Sequence, residues 1–322
     1  MRLRIGAVVV LLAMMLGAAP PGAAGPAPRV TFMLDWFPNP NHVPVYAALQ
    51  RGFLKAAGVD VTVQVPADPN DPLKLVAAGK VDLAISYQPA VVIARAEGLP
   101  VVTVGLLVDH PLTTVMFLRG SGIGNPADLR GKTVGYAVAG FEEAMLVAIA
   151  ARAGLKKGDY RMVNVGFNLT PALLGRKVDA VVGAYKNYER IQIELQGRQV
   201  GMFEVEKYGV PDYYELVIIA SERVVRERPE TVARFVRALT QGIRHTLASQ
   251  DDAWKAYVAA NPKLNDTLNR RGYAATLPFY ARGQRQSAPR WTALADFLHA
   301  HGIIKRKTPV EAMFTNRFVP AP

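Results

Sequence analysis

The sequence predicts an α/β protein of two lobes, on three observations. Strand-like and helix-like stretches alternate along most of the chain, as a helix-covered parallel sheet requires. A run rich in Gly, Pro and Thr interrupts them at 110–138. The stretch LVAAGKVDLAISYQP at 75–89 returns in altered form as ALLGRKVDAVVGAYKNYE at 172–189. That spacing is too long for a solenoid repeat and suits two similar halves facing each other.

The elements follow in order. Alternating apolar residues predict a strand over 29–34, a helix over 43–58 broken near Gly52, and a second strand over 59–66. A helix at 71–79, a strand at 81–87, a helix at 90–98 and a strand at 101–108 continue the pattern. The chain then crosses between lobes near 112–118. Strands at 132–138, 160–167 and 178–185 alternate with helices at 141–154 and 170–176, and 212–222 reads as a return strand. Helices at 229–249, 251–260 and 289–304 complete the chain, the first opening on Pro229. Two crossings make the first lobe discontinuous, 29–115 with 215–322, around a second lobe of 116–214, and hinges are expected at 112–118 and 207–216.

Residues 1–24 read as a secretory signal peptide: Arg2 and Arg4 precede an apolar run from Ile5 to Ala18, and Gly22 and Ala24 stand where cleavage needs small residues. The run is shorter than the ~20 residues of a spanning helix. The chain has no cysteine, which removes disulfides, thiolate chemistry and the lipid-attachment residue of an anchored lipoprotein. A periplasmic, unlipidated protein is expected. The net charge of +12 comes from 38 Lys and Arg scattered singly and in pairs, without the basic stripe of a nucleic-acid binder. Nothing predicts stable oligomers, so a monomer is expected.

Ligands of open α/β sheets sit beyond the carboxyl ends of the strands. DWFPNPNH (35–42), SYQP (86–89), GYAVAGFEE (135–143) and AYKNYE (184–189) all fall there. Trp36, Tyr87, Tyr185 and Tyr188 offer flat faces on which a heteroaromatic ring stacks. Asp35 and Glu189 can accept bonds from an exocyclic amine. Asn39, Asn41 or Asn187 can supply amide donors, although Asn39 and Asn41 serve equally as caps for the helix that follows. His42 is the one histidine in a candidate wall. His110, His245, His299 and His301 show no metal-ligand spacing with nearby carboxylates, so no metal or other cofactor is expected. GSGIG at 120–124 precedes a capped turn and does not link strand to helix. Gly140, before the helix opening on Phe141, Glu142 and Glu143, offers a better anion cradle, and the two glutamates complement the helix dipole. No elbow motif or paired acid and base announces catalysis, so no enzyme is expected.

At FMLDWFPNPNHVPVYAALQRGFL (32–54), PADPNDPLKLVAAGKVDLAISYQP (66–89), GSGI with DLRGKTVGY (120–136) and VDAVVGAYKNYE (178–189), the chain resembles the substrate-binding proteins of ABC importers related to fungal hydroxymethylpyrimidine synthase. The resemblance implies a type II periplasmic binding protein fold, two α/β lobes joined by a two-crossing hinge. It implies a permease and ATPase as partners and, within this group, a likeness to the binder of formylaminopyrimidine, a thiamine degradation product. The family's pyrimidine contacts would then fall on Trp36, Tyr185, Tyr188 and Glu189. Lys186 stands where the resemblance leads one to expect tryptophan. The synthase's lysine and histidine would align near Ser86 and Ala90, and its cysteine-rich motif is absent. The alternatives are a binder of an alkanesulfonate, nitrate or riboflavin, or the synthase itself.

Overall fold

The computed structural model describes residues 27–319. The stretch read as a leader, 1–24, lies outside them. Ten strands run through the described chain: β1 (Arg29–Met33), β2 (Asp60–Gln64), β3 (Leu83–Ser86), β4 (Val101–Val108), β5 (Thr113–Leu118), β6 (Thr133–Tyr136), β7 (Arg161–Asn164), β8 (Ala180–Tyr185), β9 (Val200–Glu204) and β10 (Leu216–Ser221). They form two five-stranded sheets with one topology, β2-β1-β3-β10-β4 and β7-β6-β8-β5-β9.

Neither sheet is wholly parallel, contrary to the alternation rule. β10 runs antiparallel to β3 and β4, and β5 runs antiparallel to β8 and β9. The reason is connectivity. Each of these strands arrives from the other lobe, enters beside the carboxyl ends of its neighbours, and must run away from them. β5 thus turns the predicted crossing at 112–118 into a full sheet member whose six residues are all buried.

The repeated Val-Asp has a mechanical meaning in this arrangement. Asp82 Oδ2 accepts the backbone N–H of Thr31 in β1 at 2.8 Å, and Asp179 Oδ2 accepts that of Thr133 in β6 at 2.8 Å. The acid before the third strand of each half therefore locks the first strand at the same level, while Val81 and Val178 beside it are buried. Tyr87 and Tyr185 then end up at equivalent strand ends, both facing the space between the lobes.

Residues 43–58 fold as two helices, Val43–Gln50 and Phe53–Ala56, broken at Gly52 with φ +74°. The long helix Pro229–Ala248 turns Val232, Phe235, Val236, Leu239 and Ile243 inward at helical spacing. It crosses Val43–Gln50 so closely that a Cβ on Gly242 would stand 2.4 Å from Pro44 O. No described helix is long and apolar enough to cross a membrane.

The two crossings are tied together. Glu215, fully buried, accepts from the N–H groups of Leu112 and Thr113, from Thr113 Oγ1, and from the hydroxyls of Tyr213 and Tyr185. On the other side Arg290 reaches Asp109 at 3.1 Å and Asp212 at 2.7 Å and lies over the Tyr214 ring.

Candidate functional site

The loops after β1, β3, β6 and β8 meet between the sheets. Asp35, Trp36, Asn39, Asn41, Tyr87, Glu142, Leu169, Gly183, Tyr185, Tyr188 and Glu189 surround a narrow space there. Eight of the ten residues singled out from the sequence are on this wall. His42 and Asn187 are one layer behind it.

The loop after β1 is shaped by its own side chains. Asn39 Oδ1 accepts the N–H of Asn41 at 2.9 Å and caps the turn Pro40–His42, so the capping role is real while the residue also faces the cleft. His42 Nδ1 accepts the N–H of Asn39 at 3.2 Å, which leaves Nε2 to donate to Asp35 Oδ1 at 2.8 Å. Tyr87 donates to Asp35 Oδ2 at 3.1 Å. Both oxygens of Asp35 thus have a protein donor, and His42 serves by orienting Asp35. Asn187 donates to Asn41 Oδ1 at 2.8 Å and to Thr276 Oγ1 at 2.7 Å, joining the lobes behind the wall.

The second half supplies two more acids. Glu189 Oε2 accepts the N–H of Tyr185 at 2.8 Å. Burial pushes its pKa up to about 7, opposed by that bond and aided by the charge on Asp35. Glu142 Oε2 accepts the N–H of Ala137 at 2.6 Å. Burial pushes its pKa up to about 8, opposed by the Ala137 and Val138 amides and aided by Glu215 and Glu189. Among the described residues no Lys or Arg lines the cleft. Three buried carboxyl groups therefore share one small space, with neutral donors and no cation to balance them.

Leu169 and Gly183 line the wall unannounced by the sequence, and Glu142 is the wall acid that it does not single out. Its loop was correctly placed at a strand end, but two glutamates in a first helical turn read as dipole partners. The structure divides their work: Glu143 Oε2 accepts the Gly140 N–H at 2.8 Å and fills the capping role, while Glu142 turns into the cleft. At the anion cradle expected around Gly140, the amides leading into the helix are taken by the chain itself. Asn70 Oδ1 takes the Ala139 N–H at 2.8 Å, Glu142 that of Ala137, and Glu143 that of Gly140.

Aromatic rings shut the cleft. Trp36 meets Phe167 of the second half edge-on at 4.6 Å between centroids, and Phe37 meets the same ring at 4.5 Å. Deeper in, Tyr87 stacks on Phe141 at 5.1 Å. Phe167 carried no signal in the sequence beyond its place at a strand end. Lys186 does not enter the cleft: its ammonium group bonds Glu204 at 3.0 Å and Glu206 at 2.7 Å and lies over the Phe279 ring. Past Tyr87 a second, mostly apolar cavity of about 140 Å³ is lined by Leu73, Ile93 and Val138 together with Ser86 and Ala90. Among the described residues no group of three or more His, Asp or Glu could hold a metal ion.

A family model described as NMT1/THI5 like matches residues 39–253. The chain is 41% identical over 280 residues to a Haemophilus influenzae protein named for thiamine biosynthesis, covering 86% of this chain and 88% of that one. It is 35% identical over 298 residues to a formylaminopyrimidine-binding protein of Halalkalibacterium halodurans, covering 89% of each. It is 29% identical over 295 residues to a Legionella pneumophila protein named 4-amino-5-hydroxymethyl-2-methylpyrimidine phosphate synthase, covering 91% of this chain and 92% of that one. Among solved structures, the alkanesulfonate-binding protein SsuA of Xanthomonas axonopodis pv. citri superposes with a TM-score of 0.72 at 18% identity, over 91% of this chain and 99% of that one. The nitrate-binding protein NrtA of Synechocystis PCC 6803 gives 0.68 at 11% identity, over 90% and 86%. The fold is that of the periplasmic binding proteins.

Proposed function

The chain belongs to the NMT1/THI5-like family, and from that premise we propose that it is the periplasmic solute-binding component of an ABC importer. It takes a thiamine-related aminopyrimidine, of the formylaminopyrimidine or hydroxymethylpyrimidine type, into the cleft between its lobes. It then delivers the solute, as a monomer, to a membrane permease driven by its ATPase.

The observation that carries this reading is the chemistry of the cleft wall. Asp35, Glu142 and Glu189 bring acceptors without a cation, between the rings of Trp36, Tyr87, Tyr185 and Tyr188. A flat ring bearing amino groups supplies what such a wall lacks, a face to stack and N–H donors to pair with buried acids. A sulfonate or nitrate needs donors or positive charge where this wall presents acids, and the amides at Gly140 that could have served are occupied. Relatives named as synthases favour a second reading. Against it, the positions that the resemblance matches to the synthase's lysine and histidine hold Ser86 and Ala90, which carry neither an amine for a Schiff base nor an imidazole.

Titration calorimetry with formylaminopyrimidine, hydroxymethylpyrimidine, riboflavin and taurine tests the reading. Binding of either pyrimidine without taurine supports it, and taurine binding without either pyrimidine overturns it. Absorbance of bound pyridoxal phosphate would favour the synthase.

A further inference from the structure

We propose that Glu142 is a second ligand-reading acid of the cleft and that, with Glu189, it selects solutes carrying two nitrogen donor groups over solutes carrying one. The inference rests on the cleft being the solute site, as proposed above.

The backbone is built around this carboxyl group. A Cβ on Gly183, in the middle of β8, would lie 2.2 Å from the Glu142 carboxyl carbon, so β8 leaves the room that Glu142 occupies. Gly183 also adopts φ +98°, which other residues rarely take. The helix start needs nothing from Glu142, because Glu143 already holds the Gly140 N–H.

The acids differ in what they have left to offer. Asp35 has a donor on each oxygen. Glu142 and Glu189 are each tethered by Oε2 to a backbone N–H of their own lobe, with the Val138 amide also acting on Glu142 and its own amide on Glu189. Among the described residues no hydrogen bond reaches Oε1 of either. Both side chains are more than nine-tenths buried and both line the cleft. A carboxyl oxygen that lines the cleft without a protein donor is open to pair with a donor on the solute. Two such acceptors, with no cation between them, match a solute that presents an amine to each.

Calorimetry on the purified protein with two probes tests this: 4-amino-5-aminomethyl-2-methylpyrimidine, which has two amines, and 4-amino-5-hydroxymethyl-2-methylpyrimidine, which has one. The wild type is expected to bind the diamine at least about tenfold more tightly, as one charge-assisted hydrogen bond allows. Glu142→Gln keeps the shape and the bond to Ala137, and should weaken the diamine about tenfold more than the monoamine. A wild type without preference, or a variant that weakens both probes equally or neither, overturns the role of Glu142 while leaving the pyrimidine reading intact. A wild type that binds neither probe overturns both.

Discussion

At the scale of single residues the cleft makes separable demands. Trp36 touches Phe167 and faces the site, so Trp36→Ala removes stacking area and part of the closing contact. It should weaken pyrimidine binding about tenfold, from an aromatic contribution of ~1 kcal/mol plus lost burial. Glu189→Gln removes a charged acceptor and should cost ~1.5–3 kcal/mol of affinity, again read by calorimetry. An unchanged dissociation constant in either variant would remove that residue from the site. The same acids govern stability. Glu142 is held at about 8 and Glu189 at about 7, both above the ordinary 4.5. A carboxyl group with a raised folded-state pKa holds its proton more tightly folded than unfolded, so its contribution is whole below pH 4.5 and is lost as the pH climbs through 7 to 8. The unliganded protein should lose a few kcal/mol of unfolding free energy between pH 5 and pH 8, since each tenfold difference in proton affinity between the folded and unfolded chain is worth ~1.4 kcal/mol. Urea titrations at fixed pH measure the slope, and Glu142→Gln should flatten it. An equal slope in the variant would place the titration elsewhere.

At the scale of elements, much was legible because period and position carry physical meaning. β1, β3 and β8 follow their apolar patterns, and the loops beyond them hold the wall. β9 and the helices Glu189–Leu195 and Thr267–Thr276 went unread. Their stretches are short or mix polar with apolar residues, and their form is set by packing against neighbours far away in sequence. The roles of Glu142 and His42 were hidden for a related reason. A first-turn glutamate and a histidine beside a turn look alike whether they face solvent, a cap or a buried partner. Gly242 is a further feature fixed by tertiary contact. Gly242→Ala drives a methyl group to within 2.8 Å of the Ala48 Cβ as well as against Pro44 O. It should destabilise the protein by ~1–3 kcal/mol, because overpacking forces two helices apart. A melting curve superposable on the wild type would show that the helices separate without cost.

At the scale of the whole molecule, the crossings between the two sheets and the cleft share atoms. Tyr185 lines the cleft and donates to Glu215, which also holds the amides of Leu112 and Thr113 at one crossing and follows Tyr213 and Tyr214 at the other. Glu215→Ala leaves those amides buried without a partner, at ~1–3 kcal/mol each. It should lower stability in denaturant and speed hydrogen exchange at 112–115. Exchange that stays as slow as in the wild type would mean that other contacts hold the crossing.

The shared strand order has one more consequence. β10 lies between β3 and β4, so the first half takes an interior member from a distant part of the polypeptide, whereas all five strands of the second sheet, β5 to β9, come from 113–204. A fragment ending at Val108 would leave β4 cut off from β2-β1-β3, and one beginning after Leu118 would leave β9 cut off from β7-β6-β8. Such pieces expose raw ladder edges and should precipitate when produced singly. The first half is therefore a poor candidate for dissection at a single cut, whereas a stretch spanning 113–204 keeps its own sheet whole.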